Sequence, residues 1–251
     1  MAHGWTAVKE MDLDNYGKSF VAKLPLTYLV YDNCGFGSSD CAPYQPRYEI
    51  IPSQQISDIQ DAITYAQTRD EIDGAKIGVW GTSYSGAHAV SVSACDKRVK
   101  ACIAQVLMAN GSELFQRLIR PDLIPSLNAM FEADHQARAA GKPAATIPVV
   151  HDNPLQPCSL PSSDSYEFFT PWQAKSTWKN KVTVRSLEQL RAFAENDGVI
   201  ATDLALQTYR KALEPKQLVM LPGGHFDAYR EPNFSFSTEK QIEFLQGTLC
   251  K

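Results

Sequence analysis

Gly78-Val79-Trp80-Gly81-Thr82-Ser83-Tyr84-Ser85-Gly86 carries the chain from a strand into a helix through a turn too tight for large side chains. Lys76 to Trp80 is rich in β-branched and aromatic residues, the composition of a short buried strand. From about Tyr84 to Cys95 the sequence reads as a helix. A serine at such a corner needs small residues two before and two after it, because side chains there would collide with adjacent backbone. Gly81 and Ser85 supply them. The turn lifts the Ser83 hydroxyl above the sheet edge. It also aims the N–H of Tyr84, at a helix N-terminus, toward any oxyanion forming beside it.

Upstream, Ile56, Ile59, Ala62, Ile63 and Ala66 form one stripe of an amphipathic helix over 53–69, with Ser53 as its N-cap, and Asp73-Gly74 then turns the chain. Downstream, Val99 to Val106 reads as the next strand. An earlier unit has the same form: a helix through Val8, Met11, Tyr16 and Phe20, a break at Pro25, and a strand from Thr27 to Tyr31. Alternating strands and helices predict an α/β fold with a mostly parallel sheet covered on both faces. Pro143, Pro148, Pro154, Pro157, Pro161 and Pro171 change the composition after a predicted helix from Ser126 to Ala140. Residues 111–180 are therefore expected to form a helical cap inserted between core segments 1–110 and 181–251. Helical segments near Trp172 to Phe193 and Thr202 to Leu213, a strand from Lys216 to Leu221 and a helix from Ser237 to Leu249 complete the pattern.

The 251 residues, 44% of them hydrophobic, suit one α/β domain with an inserted subdomain. A net charge of −4 offers no basic field for nucleic acid or anionic lipid, so neither is expected as a partner. The longest apolar stretch, 101–109, is interrupted by Gln105 and falls short of the roughly 18 residues that span a bilayer. Lys9, Glu10 and Asp12 precede any signal-type apolar run, which places the chain in the cytoplasm. The six cysteines show no C-x-x-C spacing and read as free thiols. No H-E-x-x-H or cysteine-histidine cluster suggests a metal, and Gly35-Phe36-Gly37 is followed by Asp40 where a dinucleotide loop needs a third glycine. No cofactor is expected.

A serine hydroxyl becomes a competent nucleophile when a base takes its proton, so a histidine held by a carboxylate should follow. Leu221-Pro222-Gly223-Gly224-His225 places His225 on a Gly-rich loop after a strand, able to reach over the sheet's C-terminal edge. His88 lies inside the helix behind Ser83, His135 on a polar helix and His151 in the proline-rich stretch, and these read as structural or solvated. Glu195, Asp197 and Asp203 are candidates for the orienting acid. Asp197 gives the chain order serine, acid, histidine, whereas Asp203 reads as a helix N-cap. His3-Gly4-Trp5 has the character of a second oxyanion loop, with the backbone N–H of Trp5 as donor beside that of Tyr84. Trp5, Tyr84, Phe36, Phe115, Phe131, Phe168 and Phe169 either line an apolar acyl pocket or pack the core.

Met1-Ala2-His3-Gly4, Val8-Lys9-Glu10-Met11, Tyr31-Asp32 with Gly37-x-Ser39-Asp40, Gly78 through Gly86, and Leu221-Pro222-Gly223-Gly224-His225-Phe226-Asp227-Ala228-Tyr229 together resemble the α/β-hydrolase group that includes the fungal fumagillin-type polyketide transferases. The resemblance runs over nearly the whole chain. It implies hydrolysis or transfer of an acyl group in secondary metabolism through a covalent acyl-serine, without metal or nucleotide cofactor. Three departures stand out. Cys34 occupies a position where such proteins often carry Arg, which removes a buried cation and its hydrogen bonds. The strand leading into His3-Gly4 is missing, and Phe193 runs directly into Ala194 where the group has an apolar strand.

Both missing strands are internal to the sheet of such a fold, one between 27–31 and 76–81, the other between 99–106 and 216–221. Each gap exposes two rows of backbone groups unless its walls close by about 4.8 Å. Closing the second would shift His225 and Asp197 from Ser83 by several ångströms, and proton transfer tolerates only roughly 2.6–3.2 Å. Three functions follow as alternatives: a serine hydrolase or acyltransferase acting on a small-molecule ester or thioester; a catalytically silent hydrolase-like fragment serving as a binding or accessory subunit; and a C–C hydrolase or lyase using the same residues. The oligomeric state is left open, a homo-oligomer included.

Overall fold

The computed structural model describes residues 1–108, 115–116, 118–153, 155–195 and 202–250. Its elements run α1 (Leu13–Val21), α2 (Pro52–Gln67), β1 (Ile77–Thr82), α3 (Tyr84–Cys95), β2 (Val99–Gln105), α4 (Ile124–Ala139), β3 (Thr146–Ile147), α5 (Ser163–Phe169), β4 (Val182–Thr183), α6 (Val184–Glu195), α7 (Thr202–Lys211) and α8 (Asn233–Thr248). Strands β1 and β2 pair in parallel from Gly78 opposite Ala101 to Thr82 opposite Gln105, with α3 as the crossover. A short antiparallel pair, β3 with β4, lies apart from them.

Apolar side chains cover both faces of the parallel pair, as the alternation predicts. On one face Ile59 and Ile63 of α2 and Ala89 and Val92 of α3 pack with Ile77 and Val79. On the other, Leu13, Tyr16 and Phe20 of α1 and Ile242 and Leu245 of α8 pack with Trp80 and Ala101. A third cluster joins Trp5, Tyr84 and Phe226 to Phe131 of α4, Phe168 and Phe169 of α5, and Leu187 and Leu190 of α6. No helix among the described residues is long and apolar enough to cross a membrane.

Several boundaries differ from expectation. Helix α2 starts at Pro52, whose ring presets φ at the first helical position, so Ile51 and not Ser53 stands at the cap. Residues 9–12 form turns ahead of α1, with Asp12 in left-handed backbone at its cap. Helix α7 begins at Thr202, which puts Asp203 inside it. The helical region near 172–193 splits into a 3-10 turn at Thr170–Gln173, the short β4 and α6. Helix α8 begins four residues before the expected Ser237.

The larger difference is in the sheet. Residues 27–31 and 216–221 run without forming ladders, because among the described residues neither has a strand beside it. Between 26–31 and β1 lies a cavity of about 700 Å³ lined by Phe20, Tyr31, Ile59, Ile63, Ile77 and Trp80, among others. Met1 and Ala2 also line it. The Ala2 N–H donates to the Trp80 carbonyl (2.9 Å) and the Ala2 carbonyl accepts from the Thr82 N–H (3.4 Å), while the Met1 amine donates to the Leu29 carbonyl (2.7 Å). Residues 1–2 thus bond to both β1 and the 26–31 segment. At the other gap, residues 216–221 lie at the surface, with Met220 60% exposed. Among the described residues neither stretch joins the sheet, and the displacement of His225 expected from closure is not seen, since its ring stays 2.9 Å from Ser83.

Candidate active site

Ser83 sits at the corner between β1 and α3 with φ 53° and ψ −120°, a backbone conformation that side chains rarely adopt. Bonds on both sides hold it there: its N–H donates to the Gln105 carbonyl (2.9 Å), and its carbonyl accepts from the N–H groups of Gly86 (3.0 Å) and Met108 (2.9 Å). Gly81 is required by space, since a Cβ there would lie 2.0 Å from the Ser85 carbonyl oxygen. The hydroxyl is partly accessible and lies 2.9 Å from Nε2 of His225.

His225 lies on the loop that leads into a 3-10 turn at Asp227–Tyr229. A carboxylate oxygen of Asp227 accepts the Gly224 N–H (2.6 Å), and Asn233 at the start of α8 donates to the Pro222 carbonyl (2.6 Å). The ring meets Phe226 edge-on at 5.0 Å, and Phe226 in turn stacks on Phe168 at 4.4 Å. Although solvent reaches the residue, surrounding protein atoms displace much of the water near the ring. This desolvation sets the His225 pKa below the ordinary imidazole value, opposed in part by the charge of Asp164. Asp197 lies outside the described residues, as does the side chain of Glu195.

The loop at 3–5 abuts the nucleophile: a Cβ on Gly4 would come within 2.9 Å of the Ser83 Cβ. Nδ1 of His3 accepts the Gly4 N–H (2.9 Å), which leaves Nε2 as the donor to the Met11 carbonyl. Burial holds this imidazole neutral, with its pKa lowered to about 4. The Trp5 indole donates to Ser159 (3.0 Å) and meets the Tyr84 ring edge-on at 5.1 Å. Among the described residues, the backbone N–H groups of Trp5 and Tyr84 have no protein acceptor. Asp32 secures the base of this loop, accepting from the Lys9 N–H (2.8 Å), the Lys9 ammonium (2.7 Å) and the Ser38 N–H (2.9 Å).

The seven aromatic residues weighed for an acyl pocket all lie in the third apolar cluster, so packing the core is what they are seen to do. The other histidines are engaged elsewhere: His88 with Gln55 (3.2 Å), His135 with Glu188 (2.7 Å) and His151 with Asp152 (2.9 Å). The six cysteines are unpaired. Sequence reasoning missed a contact directly behind the nucleophile, where the Tyr229 hydroxyl lies 2.6 Å from Oγ1 of Thr82. Only the adjacency of Thr82 to Ser83 and the position of Tyr229 four residues after His225 hinted at it.

No family-wide sequence profile matches the chain. Among curated proteins it is 28% identical over 268 residues to a thiohydrolase from Eupenicillium brefeldianum, covering 97% of this chain and 84% of that protein. It is 32% identical over 177 residues to the thiohydrolase aneE of Aspergillus aculeatus, covering 68% of this chain and 54% of the relative. A polyketide transferase, af380 of Aspergillus fumigatus, is 28% identical over 193 residues, covering 77% and 63%. The chain thus matches most of the first relative and between half and two thirds of the other two. Among solved structures, the α/β hydrolase GrgF from Penicillium sp. sh18 superposes with a TM-score of 0.78 at 22% identity, covering all of this chain and 89% of GrgF. DcsB, solved with its substrate analogue, gives 0.79 at 19% identity, with coverage of 100% and 90%.

Proposed function

We propose that the chain, which shares the fold of α/β hydrolases, is an enzyme of that class that cleaves or transfers an acyl group carried by an ester or thioester of a polyketide-like metabolite. The relatives named thiohydrolase and polyketide transferase support the substrate class. The observation that carries the mechanism is the 2.9 Å contact between Ser83 and His225, made across 142 residues of sequence.

In this mechanism Nε2 of His225 takes the Ser83 proton as Oγ attacks the carbonyl carbon. The carbonyl oxygen becomes an oxyanion, which the free N–H groups of Trp5 and Tyr84 receive. Asp197 orients His225 through Nδ1. The imidazolium returns its proton to the leaving thiol or alcohol as the bond to carbon breaks, leaving an acyl-serine. Water or a metabolite alcohol then gives its proton to His225 and attacks the acyl carbon, releasing Ser83. Residues 111–180 act as a cap, and the degree to which they exclude water selects hydrolysis or transfer.

Treating the purified chain with a fluorophosphonate probe tests this. The expected outcome is a mass adduct on Ser83, absent in Ser83→Ala and lost in His225→Ala. A folded sample that takes no label would refute the mechanism. The absence of residues 216–221 from the described sheet favours a second reading, a catalytically silent binding subunit, and the unlabelled outcome is the one that reading expects.

A further inference from the structure

In a continuous parallel sheet the strand carrying the histidine loop is held to the strand carrying the nucleophile by an unbroken row of ladders. Here residues 216–221 pair with no described strand, yet His225 and Ser83 remain in hydrogen-bond contact. Something other than sheet pairing must set their separation. Tyr229 ends the 3-10 turn that follows His225, and its hydroxyl meets Thr82, a fully buried residue bonded covalently to Ser83. The contacts Ser83–His225 and Thr82–Tyr229 are therefore two rungs between the same two segments.

The second rung is well supported. The Tyr229 ring packs against both the cluster under α1 and α8 and the cluster joining α4 to α6. It stacks on His3 with an interplanar angle of 13°, meets Tyr16 edge-on at 6.1 Å and lies 5.3 Å from Phe168. The Tyr16 hydroxyl donates to the carbonyl of Ala228, the residue before it, at 2.5 Å. With Thr82 fully buried and Tyr229 partly so, water competes less well for the phenol–threonine bond, and an unmade bond would leave the buried Thr82 hydroxyl unsatisfied. The short 3-10 turn between Tyr229 and His225, closed by Tyr229 N–H to Phe226 carbonyl (3.1 Å), transmits that position to the imidazole.

We propose that Tyr229 is a positioning residue, whose hydroxyl pairs with Thr82 to hold the His225 loop in register with the Ser83 turn where the sheet supplies no ladder. The inference rests on the acyl-serine reading for its catalytic consequence but not for its geometry, and two readouts separate them.

The first readout is kinetic. Tyr229→Phe, Thr82→Val, Thr82→Ser and the double variant Tyr229→Phe/Thr82→Val are compared by kcat and KM on p-nitrophenyl esters and by the rate of fluorophosphonate labelling. Misplacement of a reacting group by about 1 Å lowers rates by up to about 100-fold, so kcat in Tyr229→Phe should fall at least tenfold with KM within twofold. The double variant should be no worse than either single one, and Thr82→Ser, which keeps the hydroxyl, should stay near wild type. The second readout needs no activity. In an NMR titration of the imidazole, the His225 midpoint should rise toward the ordinary value in Tyr229→Phe, because a loosened loop moves away the protein atoms that displace water around the ring. An unchanged midpoint in the folded variant, or kinetic losses that multiply in the double variant, would overturn the inference. A wild-type chain that neither labels nor turns over would sink the acyl-serine mechanism alone.

Discussion

Ser83 holds a backbone conformation that costs on the order of 1–3 kcal/mol, and the neighbours that impose it could be read from sequence because the constraint is steric and local. Gly81 and Ser85 flank the serine at the spacing the turn demands. His225 was recognisable for a similar reason, a glycine pair after an apolar run. The Thr82–Tyr229 bond was not, since no local rule links positions 147 residues apart. The chemistry of His225 yields a pH prediction. A base must be neutral to accept the Ser83 proton, and desolvation favours that neutral form. The acid limb of kcat/KM should therefore fall below the usual imidazole value of about 6.5. Asp164 stabilises the imidazolium, so Asp164→Asn removes that support and should move the limb to still lower pH. A limb at or above the ordinary value, or one that moves up in Asp164→Asn, would contradict this assignment; pH–rate profiles of the two proteins decide it.

Among the elements, β1, α3 and β2 fall within a residue or two of their predicted bounds, because turn residues punctuate apolar runs too short for anything else. Boundaries slipped where two local rules competed, as when Pro52 at the first helical position displaced Ser53 from the cap. The same central elements bury two histidines. His88 of α3 and His3, on the loop beside the end of β1, are both lowered to about 4 by desolvation. In the unfolded chain each would bind a proton below about pH 6.5. Between those values the unfolded state holds more protons than the folded one, so stability is intact above pH 6.5 and declines as pH falls toward 4. Each site contributes on the order of 3 kcal/mol to that loss. Urea midpoints measured at pH 7 and pH 5 should show a marked drop at pH 5, and His88→Leu should reduce the difference; a midpoint that holds constant or rises at pH 5 would rule this out.

At the scale of the molecule, a parallel sheet covered on both faces was readable from the alternation of elements, and the two interruptions in it from the resemblance to a larger sheet. Whether the gaps would close depended on contacts that no local pattern specifies. Ala2 pairs with β1 on one side while the Met1 amine bonds to Leu29 on the other, beside a cavity of about 700 Å³ between the two segments. In a parallel ladder successive residues present their backbone groups to opposite neighbours. Thr82 donates toward Ala2 and Ser83 donates toward β2, which fixes the alternation along the strand. The N–H groups of Gly78 and Trp80 therefore face the cavity, and those of Val79 and Gly81 face β2. Hydrogen exchange should read this as a period of two, with the amides of Gly78 and Trp80 exchanging at least tenfold faster than those of Val79 and Gly81. Uniform protection from Gly78 to Gly81 would mean that the even-numbered amides have found acceptors, and that the sheet has closed or been completed on that side. If the alternation holds, the open edge coexists with the Ser83–His225 contact, and the register of the site does not depend on a continuous sheet.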